Sequence, residues 1–253
     1  MAKYLEFKNV SFNYFTKTGE IEALKNINFS IDENEFVSIV GPSGCGKSTL
    51  LSLISGLIKP ISGEILLKGE KISGADIGYM FQKDHLFDWR TIYKNVTIGL
   101  EITGQHKNKE RLKKVENLLK KYGLYEFKNS YPSQLSGGMR QRASLIRTLA
   151  IEPKILLLDE SFSALDFQTR LSVCDDVADI IEKEKQTAIL VTHDISEAIS
   201  MSDRVIILTK RPATVKKIQK IDLKSAGLPL KRREHKDFAK YFDIIWEELQ
   251  SEK

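Results

Sequence analysis

The segment that decides the fold is Phe36-Val37-Ser38-Ile39-Val40-Gly41-Pro42-Ser43-Gly44-Cys45-Gly46-Lys47-Ser48-Thr49. Its first five residues form a short apolar run with β-branched side chains, which is typical of a buried strand. Residues 41–49 match G-x-x-x-x-G-K-[S/T], in which glycines let backbone N–H groups face phosphate oxygens. Leu50, Ile54 and Leu57 then recur at helical spacing, and Gly56 is a stop signal. The sequence therefore predicts a strand, a phosphate-binding loop and a helix within an α/β fold.

All nine residues of the loop, Gly41 to Thr49, are predicted to bind a nucleotide. Lys47 is expected to reach the β- and γ-phosphates, and the Ser48 hydroxyl to bind Mg²⁺. Cys45 lies in the loop near a helix N-terminus, a position that favours the thiolate. We therefore expect thiol-alkylating reagents to inactivate the protein and bound ATP to protect it.

A second strand-like run, Ile155 to Leu158, ends in Asp159-Glu160. Continuous apolar residues suit a central parallel strand, and carboxylates at its C-terminal end lie where α/β sheets bind ligands. Asp159 is predicted to hold the Mg²⁺ shell, and Glu160 to accept a proton from an attacking water. The alternative is that the two acidic residues simply end a strand or open a helix.

A third run, Ala188 to Thr192, ends at His193. Asp194 and Glu197 follow with the spacing of a helix-capping pair. A lone histidine is usually structural, but this one is predicted to lie at the same sheet edge as Asp159 and Glu160. We therefore expect His193 to contact the γ-phosphate.

Leu135-Ser136-Gly137-Gly138-Met139 precedes a helix-like run from Ala143 to Ala150. Two bare glycine N–H groups, the Ser136 hydroxyl and a helix N-terminus together predict an anion site. The alternative is a helix N-cap with a flexible turn. Because residues 41–49 already form a complete phosphate loop, a second anion site has a use if it binds the nucleotide of a second copy. The segment thus predicts dimerisation as well as binding.

In this order, the phosphate loop, Gln82, residues 135–139, Asp159-Glu160, Ser163-Ala164-Leu165-Asp166 and His193 resemble the ATP-binding subunit of ABC transporters. The resemblance runs from about Tyr4 to about Arg211. It implies a phosphate-loop (P-loop) NTPase core of the RecA-like α/β class, with an antiparallel β subdomain and an inserted α-helical subdomain. We expect one ABC ATPase domain over 1–253. Its predicted parts are a catalytic core at 1–86 and 151–215, a helical subdomain at 87–150 and a C-terminal extension at 216–253.

The resemblance also implies roles for individual residues. Gln82 would touch Mg²⁺ and sense a membrane partner, and the segment ending at Asp166 would cross a dimer interface and contribute to the nucleotide site. Ser136, Gly137 and Gly138 would bind the ATP held by the partner's phosphate loop in a head-to-tail homodimer. Tyr14 would stack on adenine, although Phe12 and Phe15 flank it and a core aromatic on an early strand is the alternative.

Phe87-Asp88-Trp89-Arg90-Thr91-Ile92 is similar to a segment of the importer ATPases for nitrate, sulfonates and taurine. Asp88 stands where that group usually has Pro, and Ser161 stands where Pro often follows the catalytic Glu. The resemblance implies an ATPase that powers import of a small solute, with Glu160, His193 and Lys47 as catalytic residues and ATP and Mg²⁺ as cofactors. A transmembrane permease would be the direct partner, and an extracytoplasmic solute-binding protein an indirect one.

Three alternatives belong to other functional classes. A non-transport ABC ATPase that acts on nucleic acid or ribosomes commonly has two ATP sites per chain or long coiled-coil insertions, and this sequence has neither. A regulatory module that does not hydrolyse ATP would not need Glu160 and His193. A small-molecule kinase would leave residues 135–139 without a purpose.

The chain has 253 residues, 42% of them hydrophobic, and a net charge of +5. No apolar run approaches the roughly 20 residues that span a bilayer, and the N-terminus lacks the layout of a signal peptide. We therefore expect a cytoplasmic protein, peripheral on the inner face of the cell membrane. The excess charge suits a solvated surface or an anionic leaflet. Nucleic acid is not an expected partner, since no zinc spacing or RNA-binding aromatic pattern accompanies the charge. No disulfide is expected between Cys45 and Cys174.

The remaining pattern gives a coarse layout. Strands are predicted near 4–9, 64–67, 77–81 and 204–208, with a helix near 169–184. A helical stripe, with Glu110 and Lys114 paired at i and i+4, consists of Leu112, Val115, Leu119 and Tyr122. A C-terminal helix is predicted to use one face for core or dimer packing, formed by Phe238, Tyr241, Phe242, Ile245 and Leu249. An irregular basic stretch is expected between Pro212 and Pro229.

Overall fold

The computed structural model describes residues 3–17, 19–163 and 165–251. The strands are β1 (Leu5–Thr16), β2 (Gly19–Ile31), β3 (Phe36–Val40), β4 (Ser62–Leu67), β5 (Glu70–Lys71), β6 (Ile77–Met80), β7 (Ile155–Asp159), β8 (Thr187–Val191), β9 (Arg204–Leu208) and β10 (Val215–Lys220). The α-helices are α1 (Lys47–Ile54), α2 (Ile92–Val96), α3 (Ile98–Ile102), α4 (Lys109–Lys121), α5 (Gly137–Leu149), α6 (Phe167–Lys183), α7 (Ile195–Met201), α8 (Pro229–Arg233) and α9 (Phe238–Gln250).

The strands form two sheets. An antiparallel sheet has the order β2-β1-β4-β5, and a six-stranded sheet has the order β10-β9-β3-β8-β7-β6. Within the second sheet, β3, β6, β7, β8 and β9 pair in parallel, and β10 joins β9 in the antiparallel direction. The predicted α/β core, antiparallel subdomain and helical insertion are therefore confirmed.

Both faces of the parallel sheet are covered, which explains why its strands are almost wholly apolar. Leu156 and Leu158 of β7 face a core shared with α2 to α6, while Ile155 and Leu157 face a core shared with α1 and the antiparallel sheet. Alternate residues of a strand point to opposite faces, so one apolar run serves two cores. Because both faces of each parallel strand are buried, the polar residues lie at the strand ends.

The sequence located β3 and β9 at their observed bounds but did not predict β2, β5 or β10. In β2 the apolar alternation is broken: Asn26 has φ 48°, and the pairing with β1 shifts register between Val10 and Phe12. The predicted irregular stretch after Pro212 contains β10, which pairs with β9. Leu57 continues the helical spacing in the sequence, but α1 ends at Ile54, before the predicted stop signal Gly56, and Leu57 is exposed.

The helical insertion is α4 packed beside α5, and the predicted apolar stripe is largely buried on it. The predicted Glu110–Lys114 pair is wrong. The Lys114 ammonium instead lies 2.6 Å from a carboxylate oxygen of Glu152, and Arg111 lies 2.7 Å from the other. A partner from beyond α5 supplies the ion pair because α4 packs beside the end of that helix.

The C-terminal segment packs on the core of the parallel sheet. Ile245 of α9 is fully buried in a cluster with Val40, Ile199 and Ile207, and the other residues of the predicted stripe pack against this cluster. The stripe therefore serves core packing. The division of the chain into core, helical subdomain and extension stays a prediction.

Two glycines with positive φ, one in β4 and one just after it, yield a matched stability test. Gly63 has φ 77°, and an added Cβ would lie 2.3 Å from the carbonyl oxygens of Lys8 and Asn9. Gly69 has φ 84°, but nothing lies within 4 Å of its added Cβ. We expect Gly69→Ala to lower the free energy of unfolding by about 1–2 kcal/mol through backbone strain alone.

Gly63→Ala adds a backbone clash to that strain, and we expect a loss of more than about 3 kcal/mol. Urea unfolding followed by circular dichroism measures both values. Equal losses of unfolding free energy for the two variants would show that the antiparallel sheet rearranges around Gly63 to relieve the clash.

Candidate nucleotide site

The phosphate loop connects β3 to α1, as the sequence predicts. All five residues of β3 are buried, and the loop turns through Gly44 at φ 71° and Gly46 at φ 123°. These left-handed values favour glycine. The Lys47 side chain is enclosed by the loop: its Nζ donates to the carbonyl oxygens of Gly41 at 2.8 Å and Pro42 at 3.0 Å.

An open cleft of about 650 Å³ lies beside this loop. Its described lining brings together three of the predicted groups, and it is formed by Ser43, Gly44, Gly46, Lys47, Ser48, Thr49, Glu160, His193 and Arg211. The cleft therefore joins the ends of β3, β7 and β8. Arg211 is the one lining residue that no sequence pattern indicated.

Asp159 ends β7 and has a partner that the sequence did not reveal. The Tyr79 hydroxyl on β6 donates to Asp159 Oδ2 at 2.8 Å. Burial raises the pKa of Asp159, while the Tyr79 hydrogen bond and the Lys47 charge oppose that shift. A tyrosine on a neighbouring strand thus fixes the carboxylate predicted to hold Mg²⁺.

Glu160 has a backbone conformation that is unusual for a residue with a side chain, with φ 45°. Its N–H donates to Val191 O at 2.9 Å, and its carbonyl accepts from the Ser163 N–H at 3.1 Å. Such strain persists where the surroundings over-determine the conformation, as they do at active sites. Glu160 Oε1 lies 3.3 Å from His193 Nδ1, so the two predicted catalytic side chains are in contact.

Gln82 lies two residues beyond β6 and is tied to the segment after Glu160. Its Nε2 donates to Ser163 Oγ at 2.9 Å, and Ser163 Oγ in turn donates to the Glu160 carbonyl at 2.9 Å. Ser161, which replaces a common proline, is fully buried and donates to Met80 O at 3.1 Å. Hydrogen bonds therefore link the end of β6 to the turn that follows Glu160.

Asp166 caps α6, since its side chain accepts the Thr169 N–H at 3.0 Å. The bonds to Thr169 hold the pKa of this carboxyl below its usual range. Ala164, which belongs to the same predicted segment, lies outside the described residues. The structure thus gives Asp166 a role in helix capping, and its predicted role in nucleotide binding stays a prediction.

Residues 135–139 form the start of α5, six residues earlier than predicted. Ser136 is the N-cap and accepts the Met139 N–H at 3.3 Å. An added Cβ at Gly137 would lie 3.3 Å from Leu165, and at Gly138 3.2 Å from Val173. Gly137 and Gly138 therefore also permit close packing of α5 on α6 and on the loop before it. None of these five described residues lines the phosphate cleft of its own chain.

Tyr14 lies on β1 with its hydroxyl 3.0 Å from Thr49 Oγ1, so it reaches the phosphate loop. Its ring packs edge-on against Phe12, with centroids 5.0 Å apart. Phe12 packs against the core, whereas Phe15 is exposed. Adenine stacking by Tyr14 stays a prediction.

The expected Cys45 thiolate is wrong. Cys45 is 1% exposed, and burial raises the pKa of its thiol, with the charges of Lys47 and Arg211 only partly opposing the shift. Desolvation of the anion outweighs the nearby helix N-terminus. The thiol packs inside the loop and is not poised for alkylation. Both Cys45 and Cys174 are free, as expected.

The described residues contain no cluster of three or more His, Cys, Asp or Glu side chains able to hold a metal alone. One hydroxyl and one oriented carboxylate, from Ser48 and Asp159, nevertheless fit Mg²⁺, which takes few protein ligands when substrate phosphates complete its shell. No helix in the described ranges is long and apolar enough to cross a bilayer.

Comparisons with known proteins agree with this geometry. The family model described as "ABC transporter" matches residues 24–163. The chain is 43% identical over 251 residues to the uncharacterized ABC transporter ATP-binding protein YtlC of Bacillus subtilis, covering 98% of this chain and 96% of that protein. It is 41% identical over 249 residues to the nitrate import ATP-binding protein NrtD of Synechocystis, covering 96% and 93%.

Two further likenesses concern a sulfonate importer and a solved structure. The aliphatic sulfonates import ATP-binding protein SsuB of Bacillus cereus is 42% identical over 208 residues, covering 81% of each chain. A dimeric, post-hydrolysis structure of the ATP-binding cassette MJ0796, bound to ADP and Pi, matches with a TM-score of 0.71 and 36% identity. That match covers 86% of this chain and 99% of the other. This chain therefore belongs to the ABC transporter family, as an ATP-binding, ATP-hydrolysing subunit.

Proposed function

We propose that this ATPase powers the import of a small solute, of the nitrate, sulfonate or taurine kind, through a separate membrane permease. The relatives NrtD and SsuB are import ATPases for nitrate and aliphatic sulfonates, which supports this class of cargo. The subunit would work as a homodimer on the inner face of the cell membrane, with an extracytoplasmic binding protein delivering the solute.

An exposed, rigidly held surface beside Gln82 carries this proposal. A groove of about 300 Å³ is lined by Gln82, Lys83, Asp84, His85, Leu86, Asp88, Gly137, Arg140, Gln141 and Leu165. We call it the 82–88 groove. Trp89 stands next to it, with 75% of its surface exposed and its ring 4.9 Å from that of Phe87. An exposed tryptophan beside a groove is typical of a protein interface.

Asn95 holds the loop that carries Trp89. It is fully buried, and its side-chain nitrogen donates to the carbonyls of Phe87, Arg90 and Thr91 at 3.0–3.1 Å. Its Oδ1 accepts the Phe87 N–H at 2.7 Å. Because the loop is ordered before a partner arrives, binding loses less conformational entropy. A permease segment docked in the groove would meet a preformed surface.

The groove also has a mechanical connection to the ATP site. Arg147 on α5 donates to the carbonyls of Asp84 at 2.8 Å and His85 at 2.7 Å, and Arg140 Nε donates to Asp84 Oδ2 at 3.1 Å. Ser136 is the N-cap of the same helix, and we propose that it binds the partner's ATP. A shift of α5 on dimer closure would therefore move the groove and the docked permease together.

In the hydrolytic step, Glu160 would orient and deprotonate the attacking water, while Lys47 and His193 would stabilise charge on the γ-phosphoryl oxygens. Ser48, Asp159 and Gln82 would hold Mg²⁺, which neutralises phosphate charge when bound. Tyr14 would stack on adenine, and Ser136, Gly137, Gly138 and Asp166 of the partner copy would complete the site.

Reconstitution tests the importer function. Vesicles would carry this subunit with a permease that co-purifies with it, and the solute-binding protein of that permease would be added outside. We expect nitrate, taurine or an alkanesulfonate to raise ATP hydrolysis and to accumulate inside only with ATP at the cytoplasmic face. Efflux of the solute, or stimulation by nucleic acid and by no solute, would contradict the proposal.

Glu160→Gln keeps the shape of the side chain but removes the proton acceptor. We expect the rate of ATP hydrolysis to fall by about 10²–10⁴-fold, with ATP binding retained and an ATP-bound dimer accumulating. Phosphate release measures the rate, and size-exclusion chromatography the dimer. Glu70→Gln, on the exposed β5, is the matched control and should hydrolyse normally. Near-normal turnover by Glu160→Gln would remove Glu160 from this role.

Ser136→Arg places a bulky cation where the partner's ATP is proposed to lie. We expect ATP binding to the monomer to persist, while ATP-driven dimerisation and turnover are lost. Loss of the N-cap costs only about 1 kcal/mol, so the variant should stay folded. Ser133→Arg, an exposed change three residues earlier, should dimerise as the native chain does. Dimerisation of Ser136→Arg with ATP would refute the trans site.

Trp89→Ala should weaken binding to the permease by about thirtyfold, because a buried tryptophan anchor is worth about 2 kcal/mol. Hydrolysis by the isolated subunit should change less than about twofold, since Trp89 lies outside the ATP cleft. Trp246→Ala on α9 is the control, because Trp246 is an exposed tryptophan outside the groove, with 49% of its surface accessible. Co-purification with the permease and solute-stimulated hydrolysis measure the effect. Equal behaviour of the two variants would exclude Trp89 as an anchor.

A further inference from the structure

Arg211 lies in the turn between β9 and β10 and belongs to none of the sequence patterns of the ATP site. It nevertheless lines the phosphate cleft with Lys47, Ser48, Glu160 and His193. Its Nη2 donates to the carbonyl of Gly44, in the middle of the phosphate loop, at 2.7 Å. A residue distant in sequence thus brings a permanent positive charge to the mouth of the site.

The backbone around Arg211 is fixed from both sides. Thr209 N–H donates to Thr214 O at 3.1 Å, and Thr214 N–H donates to Thr209 Oγ1 at 2.8 Å, which closes the turn. The buried Ala213 exchanges two hydrogen bonds with β2, donating to Ala23 O at 3.0 Å and accepting from Lys25 N–H at 2.9 Å. The turn is therefore anchored to the antiparallel sheet, which limits where the guanidinium can go.

Charge balance gives this position a purpose. Among the described residues that line the cleft, Lys47 and Arg211 are the permanent cations and Glu160 is the one carboxylate. Without Arg211, the charges of Lys47 and Glu160 would sum to zero. A nucleotide polyphosphate, however, brings several negative charges to the cleft. Lys47 also lies inside the loop, bound to Gly41 O and Pro42 O, whereas Arg211 is exposed. A guanidinium has five N–H donors, two of them on Nη2. The Gly44 carbonyl accepts one of the two Nη2 donors of Arg211.

We infer that Arg211 is a further nucleotide-binding residue, which supplies a second positive charge to the phosphate chain beside Lys47. The Gly44 carbonyl holds the guanidinium next to the loop. No other described residue accepts a hydrogen bond from the guanidinium, so its remaining N–H groups can meet phosphate oxygens. Charge-assisted bonds between arginine and phosphate are short and strong. The competing role is a purely mechanical one, in which Arg211 only clamps the loop through Gly44.

Calorimetric titration of the full chain with MgADP tests the assignment, because this ligand needs neither hydrolysis nor a permease. Failure of the proposed importer function would leave this result unaffected. The variants are Arg211→Ala, Arg211→Lys and Arg211→Gln, and the last keeps a hydrogen-bond donor without the charge. Lys210→Ala is the matched control, since it removes one neighbouring cation that does not line the cleft. Thermal unfolding of each variant checks its fold.

At low salt we expect Arg211→Ala and Arg211→Gln to raise the Kd for MgADP about tenfold, and Arg211→Lys to stay within about threefold. The tenfold gap should shrink as salt rises toward 0.5 M, because screening weakens exposed charges. Lys210→Ala should bind as the native chain does. A Kd for Arg211→Ala within twofold of native would overturn the inference. Equal, salt-independent Kd values for Arg211→Gln and Arg211→Lys would also overturn it, because a mechanical clamp would produce that result.

Discussion

Parallel hydrogen bonding between β3, β8 and β7 brings the phosphate loop, the Asp159-Glu160 pair and His193 of this ATPase to one edge of the sheet. Parallel strands end at one edge of a sheet, so the phosphate loop, His193 and the Asp159-Glu160 pair, which follow three adjacent strands, meet there. The pairing is stable because each strand buries alternate side chains in two separate cores. Because both faces of the sheet must be apolar, the polar residues of the site lie at its edge.

The strained backbone at Glu160 depends on that same edge. Its N–H binds β8 at Val191, and Ser163 closes the turn that follows it and receives the amide of Gln82. On the other side of Gln82, Arg147 of α5 donates hydrogen bonds to the carbonyls of Asp84 and His85. Ser136 caps the N-terminus of the same helix. The proposed permease groove, the proposed trans site and the proposed catalytic glutamate are therefore connected through a few short hydrogen-bonded steps.

Much of the fold could be predicted from the sequence where apolar periodicity is uninterrupted. β3, β7 and β9 are short apolar runs, and their positions follow from that feature alone. β2 was missed because Asn26 and shifts of register break its alternation, so its identity depends on pairing with β1. The Glu110–Lys114 pair failed because helical spacing permits a contact but does not exclude the closer partner Glu152. Cys45 failed because the sequence does not report burial, and desolvation dominates the pKa of a thiol.

The sequence by itself determined the chemistry: a phosphate loop, two carboxylates and a histidine after apolar strands, and a glycine pair before a helix. These groups act through local backbone geometry and residue type, which short patterns record. Only the tertiary structure decided which groups meet. Tyr79 reaches Asp159 across a strand pair, and Asn95 orders the loop that exposes Trp89. Arg211 enters the cleft because the turn after β9 lies beside the loop after β3. Such contacts depend on strand order and packing, and neighbouring residues in the chain carry no trace of them.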